Sequence, residues 1–542
     1  CLEMPNRKTF FLLLLILIIA GFLRLYHITT VPPGLYPDEA MDGTNAQQAI
    51  QEHDYKVFYS ENNGREGLFM DIQALFLKFF GVNEPWVLRL PSAIFGILTV
   101  LGIYFLAKEL FSVRAGLLSA FFLATNFWHM NFSRISFRAI MAPFFLVWAV
   151  FLLLKAIKSS NAKAQMTNQV QSSNEKRFGF LDFGFDLKFG FWIWPAVLGG
   201  IIYGLGFYSY ISYRISPLLL LFFIPFFRKV KGFWKVMCTF LLVTFFTALP
   251  IGLYFLQHPA DFMGRTTQVS VFSSISPMKD LAMNIVKTLG MFNFAGDGNW
   301  RHNYAGSPEL FWPVGILFVL GVMIGIYCLF KNPNAKAQVT NQVQSSNEKK
   351  FGFLDFGFDL KFGFWILFLW FFLAMLPVVI SNEGIPHALR SILMIPPVII
   401  LAGIGGIWFY DFLKKYITSF WLPFVSTAFL AILFFQAYYA YFVAWANNPN
   451  VQGAFAADYV ALGRKLNILP ANVPKYIVVQ AGGTLVNGIP MPAQTVMFLT
   501  DTFLPQNRVS KNIHYLLPGQ EKNIPAGADS TNSPQAEIFY LR

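Results

Sequence analysis

Charged residues are scarce in this chain. Asp, Glu, Lys and Arg make up 13% of its 542 residues, whereas a soluble globular protein carries about 25%. Hydrophobic residues make up 55%, Phe alone occurs 63 times, and the mean hydropathy is +0.50. A chain with so few charges cannot cover itself with a water-facing surface. The composition therefore predicts a polytopic membrane protein and excludes an ordinary soluble domain.

Cysteine is also rare, with three residues at scattered positions. Cys238 and Cys328 lie within apolar runs, so neither a disulfide framework nor a cysteine-rich metal site follows from them. The sequence likewise has no pair of histidines at helical spacing. We therefore predict no metal motif, and a divalent cation stays open as a cofactor.

Acidic residues are fewer than basic ones, and the formal net charge is +13. The basic residues lie mostly in short loops between apolar runs, which indicates membrane topology rather than binding to nucleic acid. With the N-terminus on the inner side of the membrane, more of these basic residues lie in inner loops than in outer loops. We therefore expect an integral protein of a bacterial plasma membrane, with the first loop, the loop 257–310 and the C-terminal tail on the outer face.

Apolar runs near the length of about 20 residues that a bilayer requires recur along the chain. The first, Phe10 to Tyr26, follows Arg7 and Lys8 and has no small-residue cleavage site, so we expect a retained span rather than a signal peptide, with Met4 as the natural start. The shorter run Gly67 to Gly81 fits an interfacial helix better. Eleven spans are predicted, at 9–27, 88–107, 115–132, 139–157, 191–209, 212–227, 236–256, 311–330, 363–381, 389–409 and 418–442.

A 33-residue segment occurs twice. The stretch 161–193 recurs at 334–366 with two differences, Met166 against Val339 and Arg177 against Lys350. The copies are not adjacent, which excludes a solenoid. Both fall on the predicted inner side, where a docking segment and an insertion tolerated in surface loops are the alternatives. We favour the insertion.

The tail 443–542 differs from the rest. Its stretch AADYVALGRKLNIL has helical spacing, while KYIVVQA, TVMFLTD and AEIFYLR have the character of short strands between Pro- and Gly-rich turns. The predicted fold is thus an all-α transmembrane domain, 1–442, followed by a small external α/β domain, 443–542. The first external loop would span 28–87.

Two adjacent carboxylates, Asp38 and Glu39, follow the first span. Three prolines precede them and helix-forming sequence starts at Ala40, so either acid could favour the N-terminus of a helix. A carboxylate at the membrane boundary could also serve as a general base, where a lipid-linked donor meets an acceptor hydroxyl. Asp42 is a secondary candidate, one turn further on.

At this point the order of several motifs resembles the GT-C membrane glycosyltransferases, most closely glycosyltransferase family 39, the group of protein O-mannosyltransferases and aminoarabinose transferases. Its Asp-Glu pair corresponds to GLYPDEA. In the next similar stretch, 62–111, Gly67 follows Arg65 and Glu66 where the family usually has proline. The resemblance runs over about residues 8–445, and its stretches are 34–40, 62–111, 128–144, 204–219, 291–310 and 383–406.

The resemblance implies an inverting transfer from a sugar on a polyprenyl phosphate to a glycan, lipid or protein acceptor on the outer face. Asp38 would be the catalytic base, and Glu39 would orient the acceptor or tune Asp38. Cationic groups would stabilise the leaving phosphate, as the planar fork of arginine can. Each could instead be an interfacial anchor. The candidate substrate- and phosphate-binding residues are Arg65, Glu66, Arg138, Arg214, Arg301, His302, His387 and Arg390, with Arg134 as a further outer cation.

Two other function classes are open at this stage. A transporter or flippase of a lipid-linked substrate predicts acids within the membrane and repeat-related halves. A non-enzymatic envelope scaffold leaves the Asp-Glu loop and the outer arginines without a role. The acids cluster in a predicted outer loop and the repeated segment is not half of the protein, so the sequence favours the transferase.

Overall fold

The computed structural model describes residues 6–172, 193–263, 270–330, 360–524 and 536–542. Within these ranges the chain is mostly helical. The helices are α1 (Arg7–Leu25), α2 (Pro37–Glu52), α3 (Leu68–Phe80), α4 (Pro85–Leu110), α5 (Val113–Thr125), α6 (Phe127–Phe132), α7 (Met141–Ser172), α8 (Trp194–Gly206), α9 (Pro217–Leu221), α10 (Phe223–Phe227), α11 (Phe233–Gln257), α12 (Pro259–Met263), α13 (Pro277–Gly290), α14 (Trp312–Phe330), α15 (Leu360–Val379), α16 (Ile395–Leu413), α17 (Trp421–Tyr438), α18 (Pro449–Ala454), α19 (Ala457–Ile468), α20 (Gln494–Thr500) and α21 (Pro505–Lys511).

Short 3-10 segments and strands complete the described chain. The 3-10 segments are Arg138–Ile140, Ile211–Ile215, Val271–Ser273, Ile392–Met394, Met491–Ala493 and Glu521–Asn523, and a π-helical segment, Tyr439–Trp445, extends α17. The strands are β1 (Phe58–Tyr59), β2 (Arg65–Glu66), β3 (Lys475–Val479), β4 (Leu485–Val486), β5 (Ile489–Pro490), β6 (Ile513–Leu516) and β7 (Glu537–Leu541).

Eight helical segments in the described ranges are long and apolar enough to cross a bilayer. They correspond to eight of the eleven predicted spans. The other three predictions fall on shorter apolar helices, α5, α8 and the broken segment Ile211–Phe227. The first of these three predicted spans is interrupted at Asn126, between α5 and α6. There the Asn126 side chain accepts a hydrogen bond from the backbone N–H of His129 at 3.0 Å. The predicted helix over 67–81 is confirmed as α3.

Two buried arginines cap the C-terminal ends of α5 and α1. Arg24 donates hydrogen bonds to the carbonyls of Leu123 and Ala124 at 3.2 and 3.1 Å, at the C-terminus of α5. Arg134 donates to the carbonyls of Leu23 and Tyr26 at 3.1 and 2.7 Å, at the C-terminus of α1. Carbonyls that lack a helical partner must be satisfied within the protein in a membrane. Arg134 is therefore a structural residue and does not line the cavity described below.

Two glycines allow α14 and α16 to pack at close range. A Cβ atom added at Gly321 would lie 1.9 Å from the carbonyl oxygen of Leu401, and one added at Gly405 would lie 1.9 Å from that of Leu317. Neither contact is tolerable, so only glycine fits at these positions. Small residues at helix interfaces are typical of membrane proteins.

The second copy of the repeated segment is partly built into the helical core. Residues 173–192 and 334–359 lie outside the described residues, but 360–366 form the first turns of α15. Phe362 is 4% exposed, and its ring centroid lies 4.8 Å from that of Phe227. The interpretation as an insertion confined to a surface loop is therefore wrong for this end of the copy, because Phe362 and Phe364 are buried in the core.

Phe362→Ala is expected to lower the melting temperature of the detergent-purified protein, because truncation of a buried Phe costs about 3–5 kcal/mol. Phe372→Ala is the matched control, since Phe372 lies on the same helix and is 52% exposed. Its melting temperature should stay near that of the unaltered protein. Equal stability of the two variants would contradict the packing role of Phe362.

The C-terminal residues combine helices with a parallel sheet of strand order β6-β3-β7. The strands predicted in KYIVVQA and AEIFYLR are confirmed as β3 and β7, and the predicted helix is confirmed as α19. The strand predicted in TVMFLTD is wrong, because this stretch forms helix α20. All seven residues of α20 are buried, and an uninterrupted apolar run does not distinguish a strand from a buried helix.

Helix α20 packs directly on α2, the helix that carries the Asp-Glu pair. Thr495 Oγ1 donates a hydrogen bond to the carbonyl of Leu35 at 2.9 Å, and Gln47 Nε2 donates to that of Phe498 at 2.9 Å. Met41 of α2 belongs to the hydrophobic core of the C-terminal residues. The C-terminal elements therefore support the position of α2.

Candidate active site

A cavity of about 1080 Å³ lies beside the N-terminus of α2. Its walls come mainly from the N-terminal half of α2, the segment between α2 and α3, residues 137–139, the 3-10 segment Ile211–Ile215, the loop between α13 and α14, and the segment between α15 and α16. Nine of the ten residues proposed from the sequence line this cavity: Asp38, Arg65, Glu66, Arg138, Arg214, Arg301, His302, His387 and Arg390. The tenth, Glu39, does not line it.

Asp38 and Glu39 point in different directions because successive residues on a helix are rotated by about 100°. Asp38 is half-buried, lines the cavity, and accepts a hydrogen bond from Nδ2 of Asn62 at 2.8 Å. Glu39 is fully buried on the other side of α2. The pair therefore offers one carboxylate to the cavity.

The Glu39 carboxylate is surrounded by donors. Its Oε2 accepts from Nε of Arg89 at 3.1 Å and from the backbone N–H of Ser136 at 2.8 Å, and its Oε1 accepts from the N–H of Tyr36 at 3.2 Å. The last contact caps the N-terminus of α2. Arg89 is also buried, and it donates further to the carbonyls of Pro32 and Gly34 at 2.8 and 2.5 Å. Thus Glu39 anchors the loop that precedes Asp38 and cannot reach an acceptor in the cavity.

One helical turn after Asp38, Asp42 is fixed by Arg65. Arg65 Nη1 lies 2.5 Å from Oδ1 of Asp42, and Nη2 donates to Oδ1 of Asn45 at 2.5 Å. Burial raises the pKa of Asp42, while the charge of Arg65 opposes this shift in part. Both terminal nitrogens of Arg65 are thus used within the protein.

Glu66 bridges two arginines at the cavity wall. Its Oε2 accepts from Nε of Arg138 at 3.0 Å and its Oε1 from Nη2 of Arg214 at 3.1 Å. The hairpin that presents Glu66 turns through Asn62, Asn63 and Gly64, which all have positive φ. The next residue must be small, because a Cβ at Gly67 would lie 1.8 Å from the carbonyl oxygen of Lys56.

Two further arginines come from separate segments. The guanidinium of Arg301 lies 3.8 Å from the ring centroid of Tyr36, and its Nε donates to Oδ1 of Asn299 at 3.2 Å. Its terminal nitrogens make no hydrogen bond to a residue in the described ranges. Arg390 forms an ion pair with the exposed carboxylate of Glu383 at 2.9 Å and also contacts Ser381. Arg301 therefore has the guanidinium edge that is most open to a ligand.

Asp297 organises the two cavity histidines. Its Oδ2 lies 2.9 Å from Nδ1 of His302 and 3.8 Å from Nδ1 of His387, and it accepts from the backbone N–H of Ala388 at 2.9 Å. Burial opposes ionisation of Asp297, but the hydrogen bond and charge of His302 outweigh it, so its pKa lies below the ordinary value. Burial, together with the charges of His302 and Arg390, lowers the pKa of His387 to about 3.

A buried acid, Glu309, binds the backbone of Asp297. Oε1 of Glu309 accepts the backbone N–H of Asp297 at 3.0 Å. Burial raises the pKa of Glu309 well above its ordinary value. The hydrogen bond to Glu309 holds the backbone of Asp297 in place.

Sequence reasoning missed several residues of this site. Asp297 lies in GDGNWRHN, within the similar stretch 291–310, but its Asp-Gly sequence resembles an ordinary turn. Arg89 is separated from Glu39 by 50 positions in the chain, and no local pattern indicates that pairing. Asn62 and Tyr36 also line the cavity. For Tyr36, its position two residues before Asp38 was the one feature of the sequence that pointed to the site.

Comparisons with known proteins agree with this architecture. Residues 68–167 match the family model described as dolichyl-phosphate-mannose-protein mannosyltransferase. The putative mannosyltransferase YkcB of Bacillus subtilis is 27% identical over 166 residues, which cover 29% of this chain and 22% of that protein. The match thus spans less than a quarter of the relative.

Two solved structures share the fold. One is the archaeal oligosaccharyltransferase AglB from Archaeoglobus fulgidus, in complex with an inhibitory peptide and a dolichol-phosphate; its TM-score is 0.50 and its identity 14%, over 91% of this chain and 64% of that chain. The other is ArnT from Cupriavidus metallidurans in the apo state, with a TM-score of 0.50 and 12% identity over 94% of this chain and 85% of that chain. At such identities the likeness shows the fold, and it agrees with the resemblance to GT-C glycosyltransferases.

Proposed function

We propose that this chain, which shares the fold of the GT-C membrane glycosyltransferases, transfers a sugar from a polyprenyl-phosphate donor to an acceptor hydroxyl on the outer face of a membrane. One observation carries the proposal: a single cavity brings the half-buried carboxylate of Asp38 together with five arginines from five separate segments. A base and a phosphate-binding group are the two elements that such a transfer requires.

The apolar part of the cavity supports a lipid-linked donor. Its lining includes four exposed hydrophobic side chains: Ile211, Phe262, Phe272 and Ile380. A polyprenyl chain could lie against these residues while its phosphate reaches the arginines. Cavities that combine an apolar wall with a few polar groups are typical of ligand sites.

In the proposed reaction, the acceptor oxygen attacks the anomeric carbon while Asp38 removes its proton. The bond between that carbon and the phosphate oxygen breaks, and the lipid phosphate leaves with the bonding electron pair. Attack from the face opposite the leaving group inverts the anomeric configuration. Asn62 supports this step, because its hydrogen bond orients the Asp38 carboxylate.

We assign the phosphate role first to Arg301 and Arg390. Arg138 and Arg214 lie at the same wall, and Glu66 positions them through its two ion pairs. A carboxylate repels phosphate, so Glu66 is proposed as a positioning residue rather than a phosphate ligand. The same holds for Arg65, whose terminal nitrogens are occupied by Asp42 and Asn45. Glu39 is likewise a positioning residue.

The finer architecture is part of the proposal. We place the N-terminus on the inner side, eleven membrane-crossing segments in residues 1–442, and the C-terminal α/β unit 443–542 on the outer face. Its contact with α2 is consistent with this placement, since α2 also borders the cavity.

The preferred sugar and acceptor are tested by mass spectrometry of envelope glycoconjugates from cells with and without the protein. Identical profiles would contradict the proposal.

Arg301→Gln is expected to lower kcat/KM by about 10- to 100-fold, because a hydrogen bond to a charged group is worth about 1.5–3 kcal/mol. Arg301→Lys should recover part of this loss, since lysine keeps the charge but not the planar fork. The control is Arg464→Gln, at an exposed residue that pairs with Glu84 outside the cavity. Equal activity of the Arg301→Gln and Arg464→Gln variants would exclude Arg301 from phosphate binding.

A further inference from the structure

The side chains of Asp297, His302 and His387 form a compact group at the cavity edge. One ligand atom from each residue can be chosen so that all three lie within 4.8 Å of one another. We propose that these residues form a binding site for a divalent transition-metal ion of the zinc class. This proposal is independent of the proposed sugar transfer.

The distances suit such an ion. Zinc lies about 2.0–2.1 Å from imidazole nitrogen and about 2.0–2.2 Å from carboxylate oxygen, which places tetrahedral ligand atoms about 3.3 Å apart. The observed distances from Oδ2 of Asp297 are 2.9 Å to His302 and 3.8 Å to His387, and they bracket this value. Both histidine nitrogens therefore lie within about 0.5 Å of the expected spacing from Oδ2 of Asp297.

His387 offers a ligand atom that has no other task. Its Nδ1 is buried and makes no hydrogen bond to a residue in the described ranges. A buried polar atom without a partner is costly, and a water or ion bound at that atom is one of the ordinary explanations. The ring is also held in place, because its centroid lies 5.0 Å from that of His302.

The surroundings fix the other two ligands. The ring of His302 packs against those of Phe132 and Phe137, with centroids 5.7 and 6.2 Å away. Asp297 is held through its backbone by Glu309. Metal ligands are usually oriented by such outer contacts. Because His302 and His387 both line the cavity, the fourth coordination position is open to it.

The donor set favours zinc over magnesium or calcium. Mg²⁺ and Ca²⁺ are bound mainly by oxygen, whereas this group offers two imidazole nitrogens and one carboxylate. Arg301 and Arg390 also lie close enough to act on His387 electrostatically. The positive charges of these arginines repel a cation, and they most disfavour Mg²⁺ and Ca²⁺, whose binding depends on attraction to charged oxygen ligands. Coordination by two imidazole nitrogens makes zinc binding less dependent on that attraction.

The test uses the untagged full-length protein in detergent. After removal of metal with a chelator, the protein is titrated with Co²⁺ and then with Zn²⁺, and binding is followed by visible absorption and elemental analysis. We expect about one ion per chain. His387→Gln and His302→Gln should each weaken binding at least about 10-fold, and Zn²⁺ should raise the melting temperature of the unaltered protein more than that of either variant.

His514→Gln is the control, because His514 lies on β6 and, among the described residues, its one side-chain hydrogen bond is to Asn512. Its metal binding should equal that of the unaltered protein. His387→Gln removes no hydrogen bond, so this variant should remain folded even if Asp297→Asn does not. Binding of metal by the His302→Gln/His387→Gln double variant as tightly as by the unaltered protein would overturn the proposal, as would no binding by the unaltered protein.

Discussion

Asp38→Asn is expected to lower sugar transfer by about 10²- to 10⁴-fold, the usual contribution of a general base. Asparagine has nearly the same shape as aspartate, but its amide cannot accept the proton of the attacking hydroxyl at neutral pH. Donor binding should change little, since the cavity arginines are untouched. The measurement is the release of polyprenyl phosphate by purified protein, with kcat and KM determined separately.

The matched control for this variant is Asp54→Asn. Asp54 lies in the same loop region, but its side chain is exposed and contacts Lys56 at 3.7 Å. This variant should keep full activity. Both proteins should melt at the temperature of the unaltered chain, which separates a catalytic loss from misfolding. Full activity of Asp38→Asn would remove Asp38 from the role of base.

Glu39→Gln is expected to destabilise the protein by about 3–5 kcal/mol, because removal of one partner of a buried ion pair leaves the other charge uncompensated. The remaining charge would be the buried guanidinium of Arg89. Activity of the folded fraction should also fall, since Glu39 caps α2 and holds Ser136. The measurement is thermal unfolding in detergent, accompanied by the transfer assay at a temperature where the variant is folded.

A double-variant cycle separates this pair from its surroundings. Glu39→Gln combined with Arg89→Met should cost less than the sum of the two single variants, since the groups are coupled. The control is Glu84→Gln, which breaks the exposed pair with Arg464 and should cost no more than about 1 kcal/mol. Additive losses for Glu39 and Arg89 would show that the buried pair does not act as a unit.

The sequence predicted the apolar helices well, because long runs of hydrophobic residues are typical of membrane-spanning helices. It overestimated the lengths of three, and in two of these the helix is interrupted without an end to the apolar run, at Asn126 and at the Ser216-Pro217 junction. Helix α20 was mistaken for a strand for a related reason: its seven residues are all buried, so no polar face reveals the period.

The candidate site was predictable where a charged residue stands out against apolar sequence. Asp38, Arg301, His387 and Arg390 were found in this way, and the structure brings them to one cavity. The different roles of Asp38 and Glu39 were not predictable, because the sequence does not say which side of α2 faces the core. Arg89 and Asp297 act through partners distant in the chain, and such pairs arise only from the fold.

The most direct measurement incubates the purified full-length protein with a panel of polyprenyl-phosphate sugars and candidate acceptors. Product formation and free polyprenyl phosphate are quantified together, and the anomeric configuration of the product is determined by NMR. We predict that one donor is consumed, that the two products appear in equal amounts, and that the configuration is inverted. A protein that moves the intact donor between vesicle leaflets without cleaving it would contradict the account and favour a transporter.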